Sequence, residues 1–427
     1  DVINIPDLYD LERHNPWGVE HDRSVDERTG YRTRSVLTVP LIDHHDKVIG
    51  VLQLINKKTT PGRPLKEPED FNSSVVPFDE HSVELCNTLA SQAGISLENA
   101  LLYNELQRVF EGFVDASVQA IEARDPTTSG HSRRVATLTV GLARTVDREE
   151  SGPFGAKNFT EDDLKTIEYA GLLHDFGKIG VPEAVLVKAR KLYDWEREMI
   201  LARFDYIRQW RRAETLAKKL ALGQQQGKAA AMAQLSALDD ALQKQEEYLD
   251  LCLSTVLEAN LPSVMDQDRP KMLKEIAQHT YLDPRGEVRP YLSLGELECL
   301  SIMRGSLSGS ERQQIQSHVE HTYNYLQSIP WGVRFGLIPK IAGDHHEKLD
   351  GTGYPDGVPG EEIPVETRMM TVADIFDALT ASDRPYKKAM PVERALSILQ
   401  MEAEGGQLDP EMVRIFVESG AYLRVLE

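Results

Sequence analysis

The hydrophobic pattern of the sequence changes near residue 80, and this change most constrains the fold. Before it, Ser35 to Leu41 and Val48 to Ile55 are runs rich in β-branched residues, joined by a polar segment. Two such runs around a short polar turn predict a β-hairpin. After it, apolar residues recur at helical spacing almost to the end of the chain. We therefore expect a small α/β module followed by a mainly α-helical chain.

A long helix is predicted to connect the two parts. Asp79 is suited to be its N-cap, and apolar residues follow at helical spacing toward Arg124. A helix of this length between domains is either a dimerising, signal-transmitting coiled coil or a plain spacer. The residues alone leave both interpretations open.

Charge and composition limit the classes of partner. Of 427 residues, 48 are Lys or Arg and 68 are Asp or Glu, which gives a formal net charge of −20. This balance argues against a general nucleic-acid or anionic-membrane binder, but not against one small anionic ligand. No apolar run is long enough to cross a bilayer, and there is no signal-peptide pattern at Asp1. The three cysteines lie far apart, so we expect a cytoplasmic protein with reduced thiols, although a segment preceding Asp1 is left open.

Histidines and carboxylates indicate a metal site. Imidazole and carboxylate ligands together suit divalent metals such as Fe, Mn, Zn, Co or Ni. Adjacent His and Asp side chains in a helix point to different sides, so both reach one centre only if it holds several metals or wedges between helices. The pair at 174 and 175 therefore hints at a dinuclear site. The candidate ligands are His131, His174, Asp175, His318, His345, His346 and Asp374.

Cations and glycines surround these candidates. Lys178 lies between Gly177 and Gly180 in the segment LLHDFGKIGVP, and lysine is a compact phosphate-binding charge. The double histidine precedes a Gly-rich turn, DGTGYP. Arg384 and Lys387 follow the last acidic motif in a predicted loop. Lys178 is therefore a candidate to contact a phosphate group.

In this order, the motifs resemble the HD-GYP family, a branch of the HD superfamily of metal-dependent phosphohydrolases. The resemblance covers residues 108–192 and 307–427, and it rests on EARDPTTSGHSRRV, HDFGKIGVPEAVLVKARKL, LSGSERQQIQSHVEHT, HHEKLDGTGYP and DIFDALTASDRPYKKAM. The N-terminal segments DERTGYRTRSVLTVPL and VIGVLQLINK resemble the C-terminal half of a GAF domain.

The resemblance implies a mainly α fold in three parts. A partial α/β GAF sensor domain would span 1–81 and a linker helix 82–107. A helical HD-GYP catalytic domain would span 108–427, with a helical hairpin inserted at 193–306. We expect the linker helix and the insertion to be candidate homodimer contacts.

The same resemblance implies an enzyme that hydrolyses cyclic dinucleotides, chiefly cyclic di-GMP. The product would be the linear dinucleotide, GMP or both. The seven candidate ligands would hold two ions, Fe or Mn, with Asp175 as the bridge and a metal-bridging hydroxide as nucleophile. His174, Asp175 and Lys178 would be catalytic. The substrate would be bound by Lys178, Arg384 and Lys387, which would neutralise its phosphates, and by the signature loop Gly353, Tyr354 and Pro355, which would shape the pocket.

Two features depart from the family pattern. Some members hold a third metal through a Glu four residues before the first His, where this chain has Thr127; Glu122 is a poor substitute. Two metals are therefore predicted. In the family, the segment that ends here at Leu192 is followed directly by a helix that carries a ligand histidine. The residues after Leu192 resemble that helix, but Arg203 stands where the histidine would be. The matching histidine, His318, comes after the insertion.

Other polar residues have simpler interpretations. We interpret His44 and His45 as a solvated turn, His279 as exposed and Asp350 as a turn residue. His321 is assigned to the surroundings of the site rather than to the metal, and Asp377 to orienting a ligand.

Two alternative functions remain open from the sequence. The long insertion is compatible with a catalytically silent nucleotide receptor or scaffold that binds partner proteins. A different phosphohydrolase substrate, such as a mononucleotide or another cyclic dinucleotide, is the second alternative.

Overall fold

The structure is a computed structural model, and it describes residues 1–11, 15–62, 64–125, 129–225, 228–262, 264, 266, 268–381 and 389–425. These residues divide into two compact units, Asp1–Phe113 and Val114–Glu427. The predicted mainly helical fold is confirmed.

The first unit is an α/β module. Its main sheet has the order β1-β2-β3, with both pairs antiparallel. The predicted β-hairpin is confirmed as the pair β2 and β3. The elements are β1 (Ile3–Ile5), α1 (Ser24–Thr29), β2 (Val36–Ile42), β3 (Val48–Ile55), β4 (Lys57–Lys58), α2 (Pro68–Ser74) and β5 (Val75–Val76).

A single helix, α3 (Glu80–Arg124), follows this module. Asp79 accepts a hydrogen bond from the Ser82 backbone N–H at 2.9 Å, as an N-cap does. One face of its first half packs on the sheet, where Cys86 and Ala90 join a core with Leu37. The long predicted helix is therefore present, and its early turns belong to the α/β module.

The second unit is helical and contains the remaining elements. They are α4 (His131–Val146), α5 (Glu161–Leu173), α6 (Glu183–Leu186), α7 (Asp194–Gln225), α8 (Lys228–Ala259), α9 (Arg269–Gln278), β6 (Thr280–Leu282), β7 (Val288–Pro290), α10 (Leu294–Leu300), α11 (Gly309–Gln327), α12 (Ile338–Gly343), α13 (Val365–Thr380), α14 (Val392–Glu404) and α15 (Pro410–Glu418).

Close helix contacts bring the motif segments together. A Cβ at Gly171 in α5 would lie 2.8 Å from the Ala136 Cα in α4, so only glycine permits this approach. A Cβ at Gly177 would lie 1.9 Å from the His318 carbonyl oxygen of α11. The turn after α5 therefore lies directly against the backbone of α11.

The insertion contains the predicted helical hairpin, formed by α7 and α8. Arg208 pairs with Asp250 and Arg212 with Glu246, so residues later on α7 meet residues earlier on α8, as in an antiparallel pair. α7 continues through Gly223 to Gln225.

The insertion also contains a small β-hairpin that the helical pattern did not predict. β6 pairs antiparallel with β7, and Gly286 in the connecting turn has a φ of 82°. Strands of three residues are too short to show alternation, but the turn sequence DPRGE was a usable signal. These elements share a core that includes Phe204, Val256 and Leu273.

Arg203, which occupies the place of a histidine in the segment after Leu192, is paired within the predicted insertion. Its guanidinium donates to both carboxylate oxygens of buried Glu296, at 2.7 and 2.9 Å, and to the Tyr291 carbonyl oxygen. The side chain therefore acts inside the insertion and takes no part in the histidine cluster.

Candidate metal centre

The predicted ligands meet at one place in the second unit. His174 and Asp175 follow the end of α5, His318 lies in α11, and Asp374 lies in α13. His131 begins α4, and the double histidine follows α12. All seven candidate ligands therefore converge, although they come from five different segments.

Within this centre, two groups of ligand atoms each lie within 4.8 Å of one another. The first group is His131, His174 and Asp175, and the second is His318, His345 and His346. Nearly all of these side chains are buried. Each triad has the donor types and spacing of a group that could hold a divalent ion.

Asp175 lies between the two groups. Its Oδ2 is 3.5 Å from His174 Nε2 and 3.6 Å from His131 Nε2. Its Oδ1 is 3.4 Å from His318 Nε2, in the other group. One carboxylate oxygen thus faces each group, which is the arrangement that a bridging ligand requires.

The position of Asp175 at a helix end explains how adjacent side chains reach one centre. His174 is the C-cap of α5. The backbone of Asp175 is no longer α-helical, with φ −95° and ψ 6°. The chain turns between them, so the opposite directions expected inside a helix do not apply. Thr322 fixes this turn, because its hydroxyl donates to the His174 carbonyl at 2.9 Å and accepts from the Gly177 N–H at 2.8 Å.

Three of the imidazoles have their tautomer set by helix carbonyls. The Nδ1 atoms of His174, His318 and His345 lie 2.8, 2.6 and 2.7 Å from the carbonyl oxygens three residues earlier. A carbonyl only accepts, so each Nδ1 carries the proton and each Nε2 presents a lone pair. These three Nε2 atoms are buried and have no hydrogen-bond partner among the described residues. Such orphaned lone pairs fit metal ligation.

Burial favours the neutral form of the second group of imidazoles, His318, His345 and His346. It lowers the pKa of His318, and it lowers that of His346 to about 4. Burial and the neighbouring His346 hold the pKa of His345 well below its usual range. Neutral imidazole is the form that binds a metal, so the site needs no proton release from these residues near pH 7.

His131 is held differently. Its Nδ1 lies 2.7 Å from Asp377 Oδ2, and its Nε2 lies 3.2 Å from Asp374 Oδ1. Burial lowers the pKa of His131, but hydrogen bonds to the two carboxylates outweigh it and raise the pKa to about 9. Arg134 donates to both oxygens of Asp377, at 2.6 and 3.1 Å, and fixes that carboxylate. Asp377 thus contacts His131 directly, which its predicted orienting role requires.

Lys178 lies beside the bridging carboxylate. Its Nζ is 2.8 Å from Asp175 Oδ2 and 3.3 Å from Asp125 Oδ2. Burial raises the pKa of Asp175, but Lys178 and His174 more than compensate and hold it well below its usual range. The predicted phosphate-binding lysine is therefore already paired with two carboxylates at the centre.

The signature loop covers one histidine of the second group. The Tyr354 ring lies 4.7 Å from the His346 ring, centroid to centroid, and the Tyr354 N–H donates to the His346 carbonyl oxygen at 3.2 Å. Burial raises the pKa of Tyr354. Pro355 follows through a cis peptide bond. Thr127, Arg384 and Lys387 lie outside the described residues.

The other polar residues lie where simpler roles suffice. His321 contacts Gly180 and Ser317, outside both groups, and Asp350 accepts from Thr352 in a turn. Glu122 accepts from the Gly130 N–H at 2.9 Å, so it caps the turn before His131.

The remaining two histidine predictions concern residues far from the motifs. His44 and His45 lie in the turn after β2, where the His44 ring contacts Glu98, and His279 Nε2 lies 2.8 Å from the Tyr248 hydroxyl.

Sequence reasoning missed four residues that support the centre: Asp125, Arg134, Thr322 and Glu347. Arg134 was detectable, because it lies one helical turn after His131 and so shares its face. The other three carried no local signal, since their partners lie elsewhere in the chain.

Comparison with known families agrees with this geometry. Residues 128–253 and 292–412 each match an HD domain family, and residues 1–97 match the GAF domain family. The chain therefore combines HD domain sequence with an N-terminal GAF domain. Its relatives are phosphodiesterases of the HD-GYP type, and the predicted resemblance is confirmed.

Individual relatives include enzymes for two cyclic dinucleotides. The chain is 46% identical over 107 residues to 3'3'-cGAMP-specific phosphodiesterase 3 of Vibrio cholerae, covering 25% of this chain and 22% of the relative. It is 39% identical over 120 residues to the cyclic di-GMP phosphodiesterase response regulator RpfG of Xanthomonas campestris, covering 28% and 31%.

A cyclic di-GMP phosphodiesterase of Thermotoga maritima is 44% identical over 83 residues, covering 19% of this chain and 22% of the relative. The chain thus spans less than a third of the length of each of these curated relatives. Among the described residues, no helix combines the length and apolar character that crossing a bilayer requires.

Proposed function

We propose that this chain hydrolyses a phosphodiester bond of a cyclic dinucleotide, with cyclic di-GMP as the preferred substrate. The reaction would use two divalent ions, Fe or Mn. The observation that carries the proposal is the placement of Asp175, whose two carboxylate oxygens face the two imidazole groups. The products would be the linear dinucleotide or GMP. The relatives named for cyclic di-GMP and 3'3'-cGAMP support this substrate class.

The metals would bind in two neighbouring positions. His131, His174 and Asp374 would serve the first, His318, His345 and His346 the second, and Asp175 both. When bound, a pair of divalent ions supplies a water of lowered pKa and Lewis acidity toward phosphate oxygens. The buried Nε2 lone pairs of His174, His318 and His345 would bind these ions in the ring orientation that helix carbonyls already fix.

The remaining residues would bind and orient the phosphate. Lys178, paired on one side with Asp125 and on the other with Asp175, places an ammonium at the edge of the centre, where it would stabilise developing negative charge. Arg384 and Lys387 are proposed to neutralise the phosphates. Gly353, Tyr354 and Pro355 would form the wall of the pocket beside His346.

The test is turnover by protein stripped with a chelator and reloaded with Mn²⁺ or, anaerobically, with Fe²⁺. Cyclic di-GMP, 3'3'-cGAMP and a mononucleotide would be supplied, and the products separated by chromatography. We expect cleavage of a cyclic dinucleotide and its loss in His174→Ala. Binding of two ions without any turnover would contradict the proposal, and nucleotide binding without cleavage would identify the receptor alternative.

We also propose the division into a sensor at 1–81, a linker at 82–107 and a catalytic domain at 108–427 split at 193–306. The GAF match and the separate core of the insertion support it. A cytoplasmic location remains a prediction.

The exposed side of α3 supports a homodimer. Its apolar side chains follow the three- and four-residue spacing of a coiled-coil seam, interrupted by Asn99. They are 41 to 70% exposed: Ile95, Leu102, Leu106, Val109 and Phe113. We expect a dimer in sedimentation experiments and a monomer after Leu106→Glu. A wild-type monomer at micromolar concentration would exclude this contact.

A further inference from the structure

Glu347 is a buried carboxylate next to the metal ligands that neither the motif analysis nor the proposed chemistry uses. It is 3% exposed. Its Oε1 accepts from the Asp356 N–H at 2.7 Å and from the Gly357 N–H at 3.1 Å. Its Oε2 accepts from the Val358 N–H at 3.2 Å. Three backbone donors of one loop therefore converge on this single side chain.

The loop that Glu347 gathers packs directly on the chain that carries the ligands. A Cβ at Gly353 would lie 2.4 Å from the Lys348 backbone nitrogen and 2.5 Å from the Glu347 Cα. Only a residue without a side chain allows this approach. The hydrogen bonds of the carboxylate and the bare Cα of Gly353 thus hold the loop from its two ends.

Between those two ends lies Tyr354. Its N–H donates to the His346 carbonyl oxygen, and its ring lies against the His346 ring at 4.7 Å with a tilt of 34°. Unlike His174, His318 and His345, His346 makes no hydrogen bond from Nδ1 to a helix carbonyl within the part of the chain that the structure describes. The loop, through Tyr354, therefore contacts this ring in place of a helix carbonyl.

We propose that Glu347 is a positioning residue that fixes His346 for the ion held by His318, His345 and His346. It acts through the loop. The carboxylate fixes the backbone at 356–358, and the loop holds Tyr354 against the His346 imidazole. The imidazole would thereby keep the orientation that binding an ion requires. Partners that orient a ligand in this way typically contribute about 10- to 100-fold to metal affinity. The inference rests on the proposed function only in assigning these histidines to a metal.

Glu347→Gln tests this role with the smallest change of volume. The amide keeps one acceptor but turns a donor toward the Val358 N–H, so that hydrogen bond is lost and the loop is loosened. Metal-free protein would be titrated with Mn²⁺ alone, and bound ions counted by elemental analysis. We expect wild type to bind two ions, and the variant to bind one with unchanged affinity and the other about 10- to 100-fold more weakly.

Asp350→Asn is the matched control, because Asp350 lies in the same loop but is an exposed turn residue whose side chain accepts hydrogen bonds from Thr352. It should retain two ions. Equal loss in both variants would show general loosening and overturn the proposal, as would two ions of unchanged affinity in Glu347→Gln.

Gly353→Ala tests the same clamp from the loop side and leaves the carboxylate intact. Its Cβ must push the loop away from Glu347, so it should weaken the same single ion. Retention of both ions by a folded Gly353→Ala protein, judged by circular dichroism, would overturn the proposal even if Glu347→Gln does not fold. Because the readout is ion binding, absence of cyclic-dinucleotide turnover in wild type would refute the proposed function and leave this inference standing.

Discussion

Replacing Asp377 by Asn should weaken the ion at the first ligand group selectively. Asp377 accepts from His131 Nδ1 at 2.7 Å and receives both hydrogen bonds from Arg134. The amide removes the negative charge that raises the pKa of His131 and disrupts the Arg134 pair, so the imidazole loses its orientation. The His318 group keeps its own carbonyl partners and should be unaffected.

The expected size follows from the loss of the carboxylate behind His131. Removing a carboxylate behind a metal-bound histidine costs about 10- to 100-fold in affinity, or about 1.4 to 2.7 kcal/mol. Mn²⁺ titration of the metal-free variant should therefore show one ion bound as in wild type and one bound more weakly by this factor.

Glu296→Gln is the matched control, because Glu296 is also a buried carboxylate that binds an arginine through both oxygens, but in the insertion. It should lose folding stability and keep both ions. If Asp377→Asn binds both ions as wild type does, or if the two variants lose ions equally, the assignment of Asp377 to His131 is refuted.

Three further outcomes can be measured on the same protein. Thr322→Val leaves the His174 carbonyl and the Gly177 N–H unpaired in a buried turn, so urea unfolding should show a loss of about 1–3 kcal/mol per orphaned group, and unchanged stability would contradict this. The folded-state pKa of His346 is about 4, below its usual 6.5, so the unfolded chain binds the proton first as pH falls. The unfolding free energy of metal-free protein should therefore fall between pH 6.5 and 4, by on the order of 3 kcal/mol from this group, with a smaller fall in His346→Gln. His318→Ala should reduce bound Mn²⁺ from two ions to one per chain by elemental analysis, and retention of both ions would exclude His318 as a ligand.

The local patterns in the sequence predicted most of the elements and the candidate ligands. Helical periodicity and β-branched runs depend on neighbouring residues, so they predicted α3 and the hairpin of β2 and β3. The ligand types were readable because metal chemistry restricts them to imidazole and carboxylate. The short β6–β7 hairpin was not predicted, because strands of three residues are too short to show an alternating pattern.

Only the tertiary structure decided how the two halves of the split motif set meet. His318 is far in sequence from His174, but Gly177 and Thr322 bring α11 against the turn after α5. The bridging geometry of Asp175 and the separation into two triads come from this packing. Helix-to-helix distances depend on side chains that are distant in the chain, so local sequence patterns carry no measure of them.

The supporting residues show the same division. The motif patterns predicted His131 and His346 as metal ligands, because imidazole is a common metal-binding group in its own right. Nothing local indicated that Glu347 gathers three backbone N–H groups. A buried carboxylate acquires a role only through the groups that the fold places next to it. The sequence therefore determined which groups could bind metal, and the tertiary structure decided what holds each of them in place.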